Sequence, residues 1–119
     1  MARLTDPERL AKYEAALREW ACSGFISYTR RADAWIRANL EKCTQKTINE
    51  LLYRYVILGG GEIDEVVEKN ADYRKEHEFH HDIRPPFRGK MLYVETRLCY
   101  DQFDPKVDPT ILVVNVKWA

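Results

Sequence analysis

Cysteine is scarce in this chain, and the few cysteines form no recognisable pattern. Cys22, Cys43 and Cys99 are odd in number, far apart and without a C-x-x-C spacing, which argues against a disulfide framework or a zinc knuckle and predicts buried, reduced thiols. Long apolar runs are missing as well. No stretch could cross a bilayer, and the charged opening from Met1 to Arg9 lacks the apolar core of a secretion signal, so a cytoplasmic chain with no membrane association is expected. Charge of one sign is also absent: 19 Lys and Arg balance 19 Asp and Glu, whereas a protein that lives by non-specific phosphate contacts is usually basic. Of five glycines, three are consecutive at positions 59–61. They do not follow a strand or precede a Lys-Ser/Thr pair, so they predict a flexible helix end rather than a phosphate-cradling loop.

What is present suffices for one core. A chain of 119 residues with 45% hydrophobic side chains is of single-domain size, and one domain over 1–119 is expected. The neutral total hides an uneven distribution. Residues 1–58 carry ten basic and seven acidic side chains (+3), residues 59–82 carry three and eight (−5), and residues 83–119 carry six and four (+2).

The periodicity changes midway. Thr5-Asp6-Pro7-Glu8 opens a helix whose apolar face runs through Leu10, Tyr13, Leu17 and Trp20 to a stop at Gly24. Phe25 to Tyr28 reads as a strand or a bridge. A second helix runs from Thr29 to Leu40, and a third opens at Thr44 and ends at the glycines. Glu62 to Lys69 fits a short acidic helix or a strand. From Tyr73 onward a period of two takes over. Phe79 to Ile83 is a strand stopped by Pro85-Pro86, and Lys90–Tyr100 and Thr110–Trp118 are long strands joined by a turn-rich connector, Asp101–Pro109. Two such strands are most simply antiparallel. The fold class is therefore α+β, with N-terminal helices packed on a small twisted antiparallel sheet.

Alternation assigns faces. On the first long strand Leu92, Val94, Thr96 and Leu98 oppose Met91, Tyr93, Glu95 and Arg97. On the second, Leu112, Val114, Val116 and Trp118 oppose Ile111, Val113, Asn115 and Lys117. With the apolar sides in the core, Tyr93, Glu95, Arg97, Asn115 and Lys117 converge on one surface, either as an ordinary solvated face or as a site. The segment Lys75 to Asp82 holds His77, His80 and His81 among carboxylates. Its spacing fits no metal motif, because His77, Phe79 and His81 alternate with Glu78, His80, Asp82 and Arg84 on a strand. No metal and no cofactor are expected, and a histidine suited to proton transfer near neutral pH is the other use of the cluster.

Thr29-Arg30-Arg31-Ala32, Lys69, His81-Asp82-Ile83-Arg84-Pro85, Gly89 followed by Tyr93, and the ending Ile111 to Lys117 carry a resemblance over residues 25–119. This stretch resembles the MqsR toxins, the motility quorum-sensing regulator family of RelE-like ribonucleases. The resemblance implies helices leading into a twisted antiparallel sheet, metal-independent cleavage of single-stranded messenger RNA, and an antitoxin partner. The family's active-site lysine, glutamine, tyrosine and lysine fall on Lys69, His81, Tyr93 and Lys117. His81 departs from the glutamine, and the Asp101–Pro109 connector is longer than the family pattern. Under this reading His81 transfers protons, Lys69, Arg97 and Lys117 stabilise phosphate charge, Tyr93 positions it, and Glu95 is an alternative base. Arg84, Arg88 and Asn115 complete the expected RNA contacts. The competing expectation is a non-catalytic protein-binding domain that docks a basic partner through its acidic 62–82 segment.

Overall fold

A computed structural model describes residues 2–119. Local chemistry sets the helices. Asp6 caps α1 (Pro7–Arg18) by accepting from the Arg9 amide at 2.9 Å. The Thr29 hydroxyl does the same for α2 (Arg30–Asn39) through the Ala32 amide at 3.2 Å, and Thr44 and Thr47 form a reciprocal capping box at the start of α3 (Gln45–Tyr53). The third helix continues as a widened π-turn over Arg54–Leu58 before the glycines.

Over the described residues the chain threads a seven-stranded sheet: β1 (Ala2–Arg3), β2 (Ile26–Tyr28), β3 (Asp64–Val67), β4 (Phe79–Ile83), β5 (Pro86–Phe87), β6 (Lys90–Cys99) and β7 (Thr110–Trp118). The spatial order is β1-β3-β4-β6-β7-β2, with β5 pairing beside β6. This confirms an α+β fold with helices packed on a sheet, with two corrections. The helical half contributes an edge strand at each side, and β2 lies parallel to β7, so the sheet is mixed. A parallel neighbour is possible here because α2, α3 and the whole β3–β6 region intervene between β2 and β7.

Helices α1, α2 and α3 cover one face, where Tyr13, Leu17, Ile36, Ile48 and Leu52 pack against Ile83, Leu92, Val94, Ile111, Val113 and Val116 in one cluster. Inside it the Tyr13 hydroxyl meets the Thr96 hydroxyl at 2.6 Å, and Thr96 donates to the His81 carbonyl at 2.7 Å, so both buried hydroxyls are paired. A one-turn helix, α4 (Ala71–Arg74), lies on the opposite face. Among the described residues no helix is long and apolar enough to cross a membrane. The thiols do not all match expectation: Cys43 is buried, Cys99 is partly covered and Cys22 is exposed.

One irregularity resets the face assignment. Glu95 pairs with Asn115 but Thr96 pairs with Val113, leaving Val114 as an extra residue in β7. This β-bulge reverses the alternation along the strand. Ile111 and Val113 point into the core on one side of it, Val116 on the other. The expected grouping of Ile111 and Val113 with Asn115 and Lys117 is therefore wrong, while the convergence of Asn115 and Lys117 with Tyr93 and Glu95 holds.

Candidate active site on the uncovered sheet face

The ladder fixes the layout of the face opposite α1–α3. Asp64, Asp82, Glu95 and Asn115 stand side by side on β3, β4, β6 and β7, with neighbouring strands about 4.8 Å apart. Tyr93 faces Lys117 one row over, and Arg84, just past the end of β4, reaches the same row. The Tyr93 ring is flanked by two cations, the Arg84 guanidinium at 5.1 Å and the Lys117 ammonium at 5.1 Å from its centroid. Its hydroxyl donates to Glu95 Oε1 at 3.3 Å. Burial, together with the negative charge of Asp82 and Glu95, pushes the phenol well above its ordinary range, so it stays protonated as a donor.

Beside this group lies a histidine–carboxylate pair. His80 Nδ1 is 2.9 Å from Asp82 Oδ1. The Asp82 carboxylate is almost fully buried and the His80 side chain is 16% exposed. A buried acceptor on Nδ1 fixes the ring and its tautomer, leaving Nε2 for whatever occupies the face. Arg84 also ion-pairs with Asp64, which restrains the guanidinium over the Tyr93 ring.

Five expected site residues are thus brought together: Arg84, Tyr93, Glu95, Asn115 and Lys117. Four are not. His81 sits on the other face, its side chain 3% exposed, bonded through Nε2 to Glu65 Oε2 at 3.0 Å and packed edge-on to Tyr13 at 5.6 Å. It shares parity with Phe79 and Ile83, so the core claims it. Burial depresses its affinity for a proton, only partly offset by Glu65.

Arg97 is on the uncovered face yet only 1% exposed. It ion-pairs with Glu68 through Nε and with Glu95 Oε2 through Nη2 at 3.0 Å, and Tyr73 of α4 lies over it with the guanidinium 4.6 Å from the ring centroid. It therefore holds α4 to the sheet and is not open to a ligand. Lys69 is exposed where the chain leaves β3. It lies five positions beyond Asp64 and Tyr93 lies two positions the other way from the same row, which sets them about 23 Å apart along the strands at ~3.3 Å per residue. Arg88 turns away toward the helices, over Phe87 at 4.9 Å and against Cys43 Sγ at 3.4 Å.

His80 and Asp82 are the residues that sequence reasoning left out of the site, although the alternation placed both on the Arg84 side of the strand. Among the described residues no three His, Cys, Asp or Glu side chains are arranged to hold a metal ion. The carboxylate row is instead engaged with Arg84, His80 and Arg97. No family model, curated protein or solved structure significantly matches this chain.

Proposed function

We propose that the chain is a metal-independent endoribonuclease of RelE-like type acting on single-stranded RNA, with His80 in the role that the motif match gave to His81. The observation that carries this reading is a protonated phenol, Tyr93, flanked by Arg84, Lys117 and Glu95, with His80 oriented by Asp82 on the same sheet face. Cleavage of RNA by its own 2′-hydroxyl needs a base, an acid and charge stabilisation at phosphorus, and no covalent enzyme intermediate. Here Glu95 takes the 2′-hydroxyl proton as the 2′-oxygen bonds to phosphorus. The P–O5′ bond breaks, and protonated His80, held by Asp82, delivers a proton from Nε2 to the leaving oxygen. Lys117 and Arg84 balance the charge on the non-bridging oxygens, and Tyr93 donates a hydrogen bond to one of them. The products are a 2′,3′-cyclic phosphate and a free 5′-hydroxyl. An antitoxin-like protein that covers this face is the matching partner, and such an enzyme acts in the cytoplasm.

The binding-domain reading has less support, because the acidic segment is largely engaged within the molecule. Asp64, Glu65, Glu68 and Asp82 each pair with a cation or a histidine of the same chain.

The test is cleavage of messenger RNA by purified protein in EDTA, with the termini analysed. Wild type is expected to yield cyclic phosphates. His80→Ala should lose on the order of 10² to 10⁴ in rate and Lys117→Ala roughly 10², while a folded His81→Gln protein retains activity. RNA left whole by wild type, or equal cutting by wild type and His80→Ala, overturns the proposal.

A further inference from the structure

The two ends of the sheet differ in charge although the chain as a whole is neutral. At the end beside Tyr93, the segment 83–93 holds Arg84, Arg88 and Lys90 with no carboxylate, and Lys117 stands one residue from the end of β7. At the other end, the exposed Asp101, Asp104 and Asp108 outnumber Lys106, and the exposed Glu76 and Glu78 precede β4. The sheet face between them is closed beyond Glu95, where Tyr73 of α4 lies over Arg97. A polyanion held at Tyr93 is therefore drawn over the near end of the sheet. We propose that single-stranded RNA leaves the Tyr93 cluster over the β5–β6 hairpin, with Lys117, Lys90 and Arg88 as phosphate contacts. This rests on the ribonuclease reading for the position of the scissile phosphate.

The cations form a continuous series. Across the ladders Tyr93 pairs with Lys117, Leu92 with Trp118, and Phe87 with Lys90. The Lys117 ammonium lies 5.1 Å from the Tyr93 centroid, the Lys90 ammonium 5.0 Å from that of Trp118, and the Arg88 guanidinium 4.9 Å from that of Phe87. All three residues are exposed. Among the described residues none of the three is in an ion pair, whereas Arg84 is already engaged by Asp64. Seating each cation on a ring restricts its side chain before a ligand arrives, so less freedom is lost on binding. Because the rings are occupied by the cations, the contacts are to phosphates, and these carry no sequence information.

The hairpin turn gives an independent sign. Arg88 and Gly89 are its two central residues, with φ +51° and +79°. A turn with positive φ at both positions favours Asn or Gly at the first, so an arginine there is held against backbone preference. Backbone strain of this kind is retained where the side chain is used.

The test reads binding without cutting. An uncleavable 2′-O-methyl RNA of about twelve nucleotides is followed by fluorescence anisotropy from about 0.05 to 0.5 M KCl. Three phosphate contacts should give log K against log salt a slope near −2, about −0.7 for each contact. Arg88→Asn/Lys90→Gln should leave a slope of about −0.7 and bind roughly 25-fold more weakly at about 0.1 M salt. Arg88→Asn relaxes the turn and should melt no lower than wild type, so the loss is not one of folding. Lys75→Gln/Lys106→Gln removes the same charge from exposed positions away from the hairpin and should leave the slope unchanged. A reduced slope in Arg88→Asn/Lys90→Gln supports the path even where wild type cuts no RNA and the ribonuclease reading falls. An unchanged slope overturns the path even where wild type cuts RNA. No saturable binding at about 100 μM protein, an equal loss in the Lys75 and Lys106 variant, or tighter binding of poly-glutamate than of RNA also overturns it.

Discussion

Replacing Arg97 with methionine separates a structural role from a substrate-contacting one. The wild-type guanidinium is held by Glu68, by Glu95 and by the Thr96 carbonyl at 3.1 Å, beneath the Tyr73 ring. Methionine fills much of the same volume but leaves Glu68, which is 4% exposed, as a buried carboxylate without its cation. Breaking one side of such a pair costs about 3–5 kcal/mol. Here the upper figure is not reached, because the segment carrying Glu68 continues into the one-turn helix α4 and can swing the carboxylate into water at the expense of the Tyr73 contact. A loss of about 3 kcal/mol is therefore expected, measured by urea unfolding with linear extrapolation. Arg97→Met/Glu68→Leu should recover most of it, since an apolar pair of similar volume is often as stable as the ions it replaces. Lys117→Met, at an exposed position, should change stability by less than about 0.5 kcal/mol. If Arg97→Met costs under about 1 kcal/mol, or the double variant is no more stable than the single one, the ion pair does not hold α4 in place.

Two further outcomes follow from other parts of the fold. Burial lowers the proton affinity of His81 below its ordinary value of 6.5. Burial alone would raise that of Glu65, but its bonds to Arg9 and His81 outweigh this and hold it below 4.5. Both groups bind protons more weakly when folded, so stability should be full above about pH 6.5 and fall on acidification, first through His81 and then through Glu65. Chemical denaturation across pH should show the upper part of that fall vanish in His81→Phe; an unchanged profile would refute the assignment. At the glycine run, a β-carbon on Gly61 would lie 2.4 Å from the Tyr55 ring, whereas at Gly60, with φ +67°, it meets nothing within 4 Å. Gly61→Ala should cost about 1–3 kcal/mol by overpacking and Gly60→Ala about 1 kcal/mol by backbone strain; equal thermal shifts in the two variants would contradict the close approach.

The strands β6 and β7 were legible in the sequence almost to the residue, because alternation over nine or ten positions leaves little freedom. The facing of β7 was not, since a single bulged residue, Val114, reverses parity and no composition signal marks it. The α4 segment over Arg97 was also hidden. An arginine on a polar strand face reads as solvated until a distant tyrosine and glutamate are found above it. His81 is a different kind of miss. Phe79 and Ile83 share its parity, so the strand itself identified the inward histidine, while motif matching favoured the residue nearest the expected glutamine position.

The two neighbouring histidines show how one strand serves two faces with different chemistry. His80 and His81 are adjacent in sequence, and each is bonded to a carboxylate, Asp82 and Glu65 respectively. The pleat sends them to opposite sides of the sheet, so neither can substitute for the other without a one-residue slip that would also expose Ile83. On the uncovered face His80 is bonded to Asp82, which stands beside Glu95 in the row next to Tyr93. On the helix side its neighbour meets the Tyr13 ring and the Glu65 carboxylate, which hold it in the core. Exchanging the pair's surroundings, rather than the histidines themselves, would be needed to exchange their roles. For that reason His80→Gln should slow RNA cleavage, whereas a folded His81→Gln protein should keep it and lose stability instead.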